Sequence, residues 1–246
     1  MKEDTYIYGI RAVLEALQAG KAIDRIYLQK GLKGKLAQEL QARARKEGVR
    51  LSYVPEQRMD RFQDRNHQGV VATVSPVTFL DYQELIDQAL SNKEAPLLLL
   101  LDGVSDVRNL GAIIRTAACT GVDGIILPAS GSAPVTADTI KTSAGAVFSV
   151  PLAKTPHIKD AIHYLQASGV QVVAATEKAK TSVFDTALSG ATGIVMGSEG
   201  KGVSPAVLKV ADKTARLPMA GNIASLNVSV ACGVFLYEAL RQRSLS

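Results

Sequence analysis

Three polar stretches rich in small residues interrupt the apolar second half of the chain, and they hold the side chains suited to chemistry. The first, Asp102 to Arg115 (DGVSDVRNLGAIIR), carries Asn109 and, six residues on, Arg115. The second, Gly193 to Ser204 (GIVMGSEGKGVS), runs from a buried-strand pattern into a glycine-rich turn with one acid, Glu199. Glycine lets backbone approach a ligand closely, and such loops hold nucleotides through N–H and C=O groups. The same glycines also suit a plain tight turn. The third, Leu217 to Cys232 (LPMAGNIASLNVSVAC), breaks at Pro218, crosses small residues from Ala220 to Ala224, and enters an apolar helix through Ser225, Asn227 and Ser229. Asn109, Ser225 and Asn227 can each serve as a helix cap, and Arg115 as a surface charge. Two polar groups flanking Leu226 after such a loop read instead as part of a site. Neither the dinucleotide pattern G-x-G-x-x-G nor a phosphate loop ending in GK[ST] is present, which argues against a nicotinamide oxidoreductase or a P-loop nucleotidase. His67, His157 and His163 lie outside all three stretches. The two cysteines and three histidines show no ligand spacing, so no metal site is expected.

The elements that must position these stretches read as an α/β fold. Leu97–Leu101 is all apolar, as expected of a strand covered on both faces. Further strands are predicted at Gly124–Leu127, Phe148–Leu152, Val170–Ala174, Gly193–Met196 and about Lys213–Leu217, with helices between them and a last helix from about Leu226 to Arg241. That alternation predicts a mostly parallel sheet with helices on both sides. Ligands of such sheets bind at the carboxyl ends of the strands, where the three stretches fall. Residues 79–95 are mostly acidic, with Leu80, Leu85, Ile86 and Leu90 in partial helical spacing before Pro96. They read as a linker between domains at 1–78 and 96–246.

At 246 residues the chain exceeds a typical single domain of about 100–150. Its 47% hydrophobic and 21% charged composition excludes a disordered, collagenous or disulfide-scaffold protein. No apolar run approaches the ~18–20 residues of a membrane span, and the N-terminus lacks an apolar signal core, so a cytoplasmic protein is expected. Cys119 and Cys232 sit in helix-like apolar patterns and read as small core residues. The net charge of +5 lies entirely in residues 1–78, with 14 Lys and Arg against 9 Asp and Glu; the remainder is balanced at 14 each. A basic first third points to RNA or DNA, or to an ordinary solvated face. Helices are predicted at Tyr8–Ala19 and Lys35–Glu47, strands at Arg25–Gln29, Leu51–Val54 and Gly69–Val74, together a small α/β domain. Lys30, Lys33 and Lys35 form one basic cluster. Arg58, Arg61 and Arg65 form another, sharing a face if helical.

In order and spacing, NLGAIIRTA, VMGSEGKGVS and LPMAGNIASLNVSVA resemble the three motifs of the TrmH-type SPOUT RNA methyltransferases, over about residues 96–246. GIRAVLEAL and HQGVVATV resemble the start and end of the small RNA-binding domain that precedes them in the RlmB-like branch. The resemblance implies a parallel sheet closed by a deep trefoil knot, a homodimer with the final helix at its interface, and S-adenosylmethionine held by backbone around Thr176, Gly197, Leu217 and Leu226. It implies methyl transfer to a ribose 2′-hydroxyl, usually of a guanosine in large-subunit ribosomal RNA, with Asn109, Arg115, Glu199, Ser225 and Asn227 as the motif side chains. In the family Asp-Pro often precedes the asparagine; here Asp106 is followed by Val107, a less pre-set backbone. A role for Arg115 as base is chemically strained, because a guanidinium stays protonated. Its expected work is to hold phosphate and hydroxyl in place while the proton leaves through phosphate or water. A transfer-RNA ribose methyltransferase and a non-catalytic RNA-binding or ribosome-assembly factor are the alternative readings.

Overall fold

The structure is a computed structural model, and it describes residues 6–59, 66–221 and 225–245. The chain divides into two compact units, Met1–Thr78 and Phe79–Ser246.

The first unit contains β1 (Tyr6–Tyr8), α1 (Ile10–Gln18), β2 (Ile23–Gln29), α2 (Lys35–Lys46), β3 (Arg50–Val54), α3 (Glu56–Met59) and β4 (Val70–Val74). Its four-stranded sheet has the order β1-β4-β2-β3. β2 and β3 run parallel, and β4 runs antiparallel to β1 and β2. Strand alternation sends Ile26, Leu28, Val70 and Ala72 to one face, where Val13, Leu14 and Leu17 of α1 and Leu40 and Ala44 of α2 cover them. Val71 points to the other face and packs with Val54 and Met59. Sequence pattern places Tyr8 in the first helix and finds only three strands. In the structure Tyr6–Tyr8 is a fourth strand, and Gly9, at φ 89°, turns the chain into α1. Three residues are too few for a period of two to stand out. Lys30, Lys33, Lys35 and Arg58 are exposed, whereas Arg61 and Arg65 lie outside the described residues.

The second unit contains β5 (Leu80–Asp81), α4 (Tyr82–Asn92), β6 (Leu97–Asp102), α5 (Val107–Thr120), β7 (Gly124–Pro128), α6 (Ala137–Thr142), β8 (Leu152–Thr155), α7 (Ile158–Ala167), β9 (Gln171–Ala175), β10 (Thr192–Gly197), α8 (Pro205–Leu208), β11 (Lys213–Ala215) and α9 (Val228–Arg243). Its seven strands are all parallel, in the order β11-β9-β10-β6-β7-β8-β5. Leu97–Leu101 of central β6 is fully buried, as its unbroken apolar run requires.

Three expectations change. Residues 79–95 are not a free linker: β5 pairs with β8, Asp81 caps α4 by accepting from the Gln83 N–H at 2.8 Å, and Leu85, Ile86 and Ala89 enter the core. That apolar stripe is stable only against a sheet. The strand predicted at Phe148–Leu152 starts at Leu152, because Ala146–Phe148 form a short 3₁₀ turn and Pro151 follows. Of the two cysteines only Cys232 is buried; Cys119 is exposed on α5. Burial pushes the Cys232 thiol up to about 12. No helix among the described residues is long and apolar enough to cross a membrane.

The far end of α9 is tied back to the strand starts. Arg243 donates to the carbonyls of Ala95, Pro96, Leu188 and Gly190, just ahead of β6 and β10. One turn earlier, the buried Glu238 carboxylate accepts from Arg241 Nε and Nη2 and from Gln242 Nε2, all at 2.8 Å. These bonds, chiefly those from Arg241, hold the Glu238 carboxyl below its ordinary value. A carboxyl lowered by folding adds stability that is fully present above its unfolded value and is lost as pH falls through the folded one. Replacing Glu238 by Gln is expected to cost about 1 kcal/mol at neutral pH, since Arg241 is largely solvated. Denaturant melts at successively lower pH should show the gap between the two proteins closing.

Candidate active site

The three polar stretches meet at the carboxyl ends of adjacent strands. Gly197, the last residue of β10, lies in register with Asp102, the last of β6. The Asp102 carboxylate accepts from the Ser204 N–H at 2.8 Å, fixing the far end of the second stretch to the strand beside it. Between them the chain makes a tight turn. Ser198 N–H donates to Gly202 O at 3.1 Å, and Gly202 N–H returns a bond to Ser198 O at 2.9 Å. A Cβ on Gly197 would overlap the backbone of Gly202 and Val203. This glycine is therefore demanded by the turn itself, and the turn carries Glu199 at its exposed tip.

Asn109 is not the cap of its helix. Asp106 takes that place, accepting from the N–H groups of Arg108 and Asn109 at 2.8 and 2.9 Å. With the cap supplied three residues earlier, the Asn109 side chain is free to reach outward, and its Nδ2 donates to Glu199 Oε1. Asn227 does cap α9: its Oδ1 accepts from Ser229 N–H at 2.9 Å, Ser229 Oγ at 2.6 Å and Val230 N–H at 3.3 Å. Its other end also works, donating from Nδ2 to Asn109 Oδ1 at 3.1 Å and to Glu199 Oε1 at 3.3 Å. Each amide is thus engaged at both ends. A directed chain runs from the N–H groups opening α9, through Asn227 and Asn109, to the Glu199 carboxylate. The positive ends of two helices converge on one anionic group.

Glu199 also lines a cavity of about 360 Å³ at the ends of β9, β10 and β11. That volume lies within the range of small-molecule sites. Thr176, Gly197, Leu217, Ser225 and Leu226 line it too, so six of the nine residues singled out from sequence surround one space. Met196 and Phe235 form apolar wall. Thr176 spends its backbone N–H on Ala215 O at 2.9 Å. Leu217 and Leu226, by contrast, have no backbone hydrogen bond to any described residue. Glu177 and Lys178 also line the cavity, and the sequence reading missed them; their only signal is adjacency to Thr176. An apolar slot with flanking carboxylates fits an adenosine-bearing ligand with a cationic centre.

Arg115 stands apart. It lies on α5 about 9 Å along the axis from Asn109, exposed, lining neither the cavity nor the amide chain. The next residue, Thr116, faces Gly233 of α9, at 3.7 Å from where a Cβ would stand. Gly233 in turn borders an open groove with Phe184, Val230, Val234 and Tyr237. Among the described residues no group of three or more His, Cys, Asp or Glu could hold a metal ion.

Comparison with known proteins matches residues 96–237 to the SpoU rRNA Methylase family and residues 6–80 to a domain described as RNA 2′-O ribose methyltransferase substrate binding. A 23S rRNA (guanosine-2′-O-)-methyltransferase from Vibrio cholerae is 39% identical over 239 residues, 96% of each chain. A TrmH-family tRNA/rRNA methyltransferase from Staphylococcus aureus is 34% identical over 98% of this chain and 97% of its own. Among solved structures, the AviRb SpoU methyltransferase of Streptomyces viridochromogenes in complex with AdoMet aligns with a TM-score of 0.62 at 28% identity, covering 98% of this chain and 91% of that one. The AdoMet-bound rRNA methyltransferase of Sinorhizobium meliloti aligns with a TM-score of 0.62 at 29% identity, over 96% and 87%.

Two substitutions separate turn from cap. Gly197→Ala should cost about 2–4 kcal/mol and displace Glu199, because backbone has to move. Asp106→Ala should cost only about 1 kcal/mol, the worth of a cap. Chemical denaturation of both variants checks the contrast.

Proposed function

The chain belongs to the SpoU rRNA Methylase family, and from that premise we propose that it transfers the methyl group of S-adenosylmethionine to the ribose 2′-hydroxyl of a guanosine in 23S ribosomal RNA. The observation that carries this reading is the cavity beside Glu199, with Asn109 and Asn227 fastened to its rim. S-adenosylmethionine would supply a methyl group already made electrophilic by its sulfonium, and its sulfur would be left as the neutral thioether of S-adenosylhomocysteine. The protein's work is then to bind, align and manage one proton. Peptide groups of Leu217 and Leu226 hold the adenosine portion, and Thr176 and Gly197 shape the floor. Glu199 faces the cationic end, and Ser225 closes the rim. Asn109 and Asn227 keep Glu199 aimed, with Asn109 beside the incoming ribose. Arg115 grips the target phosphate and hydroxyl, and the proton leaves through phosphate or water because the guanidinium keeps its own. The basic first unit, Met1–Thr78, holds the RNA, and the reaction takes place in the cytoplasm.

We further propose that two copies act together through α9 and that the chain after β11 is threaded as a deep trefoil knot. Exposed Val230, Tyr237 and Leu240 on α9, with Phe184 nearby, form an apolar face that suits a second copy. Arg115 is exposed on α5, the helix packed against α9, and docking at α9 would bring the arginine of one copy toward the site of the other. In support of the threading, Arg216, the residue after β11, pairs its N–H with Thr181 O and its carbonyl with Val183 N–H, which ties the chain there to an earlier loop.

Calorimetry should detect S-adenosylmethionine binding, and ribose-methylation mapping of ribosomal and transfer RNA from a deletion strain should lose one guanosine mark in 23S RNA. A chain that binds no donor is a binding factor; a mark lost from transfer RNA moves the substrate. Asn109→Ala should slow single-turnover methylation about 10- to 100-fold at a stability cost below about 1 kcal/mol. Comparable losses in both would make Asn109 merely structural. Arg115→Lys should slow the same step at least about tenfold, since an ammonium lacks the planar fork; a wild-type rate with unchanged RNA affinity would remove Arg115 from the mechanism. Tyr237→Glu should shift the mass measured by light scattering from two copies to one.

A further inference from the structure

On the sheet face of the first unit opposite α1 and α2, strand register builds one row across all four strands. Tyr6 of β1 pairs with Thr73 of β4, Thr73 with Arg25 of β2, and Arg25 with Arg50 of β3. Their chain neighbours Ile7, Ile26 and Leu51 point the other way, into the core under the helices. Met59 of α3 packs on Val54 and Val71 of this face with Tyr6, Tyr8 and Tyr27 against them, while Arg25 and Arg50 stay partly exposed.

The row sets two guanidinium-bearing side chains directly opposite each other on strands whose backbones run about 4.8 Å apart. Like charges in that position destabilise a sheet unless an anion lies between them. Among the described residues neither arginine is paired with a carboxylate, unlike Arg43 with Glu47 or Arg241 with Glu238. Arg25 Nε is sealed from solvent and has no hydrogen-bond partner among the described residues. Its guanidinium carbon lies 5.8 Å from the centre of the Tyr27 ring, which orients the group without neutralising it. The Thr73 hydroxyl is already spent on the Arg25 carbonyl at 3.2 Å. The pair therefore sets two positive charges side by side on a rigid strand frame, with no carboxylate on either among the described residues. The exposed Lys30, Lys33 and Lys35, by contrast, lie in or beside a loop.

From this geometry we propose that Arg25 and Arg50 form a phosphate grip, binding one phosphodiester of the substrate RNA backbone between them. The grip rests on the RNA reading above and names where the first unit takes hold. Two planar forks side by side suit the tetrahedral oxygens of a phosphate, and strand-mounted contacts of this kind fix register without reading sequence.

The test uses the full chain and a 23S rRNA transcript in filter binding over a range of salt. Arg25→Gln, Arg50→Gln and their combination are expected to weaken binding, the double variant about 10- to 30-fold near 0.1 M salt, and to flatten the salt slope by about one. The KM for RNA should rise while kcat at saturating RNA and calorimetric affinity for S-adenosylmethionine stay as in the parent, and the melting temperature of Arg50→Gln should equal or exceed the parent's because a repulsion is relieved. Arg50→Lys, which keeps the charge but lacks the fork, should restore the salt slope and only part of the affinity. If Arg25→Gln fails to fold, Arg50→Gln and Arg50→Glu on the edge strand carry the same test. RNA affinity and salt slope equal to the parent would overturn the grip while leaving methylation untouched. A parent chain that binds the transcript through these arginines but transfers no methyl group would keep the grip and remove the enzymatic reading.

Discussion

The Glu199 carboxylate, held by two asparagine amides, is the contact on which the rest of the site depends. Asn109 and Asn227 are separated from it by 90 and 28 residues. A charge held by donors that are themselves fixed loses little further freedom when a ligand arrives, which is the condition for preorganised electrostatics. The donors are fixed because each belongs to a helix start. Asp106 takes over the capping of α5 and frees Asn109, while Asn227 caps α9 with its oxygen and reaches the carboxylate with its nitrogen. The turn that presents Glu199 is equally constrained. Gly197 lets Gly202 fold back against it, and Asp102 holds Ser204 from the neighbouring strand.

Helix α9 serves this arrangement at both of its ends. Its first residues carry the cap that orients Glu199. Its last turn is anchored by Arg243 to four carbonyls around the entries of β6 and β10. In between, Cys232, Phe235, Leu236 and Ala239 are buried, whereas Val230, Tyr237 and Leu240 are exposed. A helix apolar on nearly every side is normally buried on every side. That imbalance is what motivates the proposed second copy; Arg115, on the helix packed against α9, lies outside the cavity of its own chain.

The charge distribution separates labour in the same way. Every excess positive charge lies in the small first unit, and the second unit is neutral. A cavity for a small donor needs few charges and many peptide groups, while a polyanion is held by dispersed cations. Mounting part of that cation set on strands, as Arg25 and Arg50 are, lets a backbone contact also set position.

Local pattern determined much of this in advance. The apolar run Leu97–Leu101 could only be a covered strand, because burial on both faces leaves no polar positions. The spacing of Leu36, Leu40 and Ala44 marked a helix but misplaced its face by one residue: Leu40 and Ala44 are buried with Ala37, and Leu36 is exposed. The three polar stretches were legible as one site because strand-to-helix connections of a parallel sheet all open at the same end. The short strands Tyr6–Tyr8 and Leu80–Asp81 were not, since two or three residues carry no period and take their conformation from the partner strand. Nor could sequence choose between Asp106 and Asn109 as the cap, because both residue types satisfy the same N–H groups locally. Only the tertiary structure decided it, by placing Glu199 where the freed amide could donate. Cys119 and Arg115 show the same limit. Which side of a helix faces a neighbour depends on what packs there, and that is a property of the whole chain.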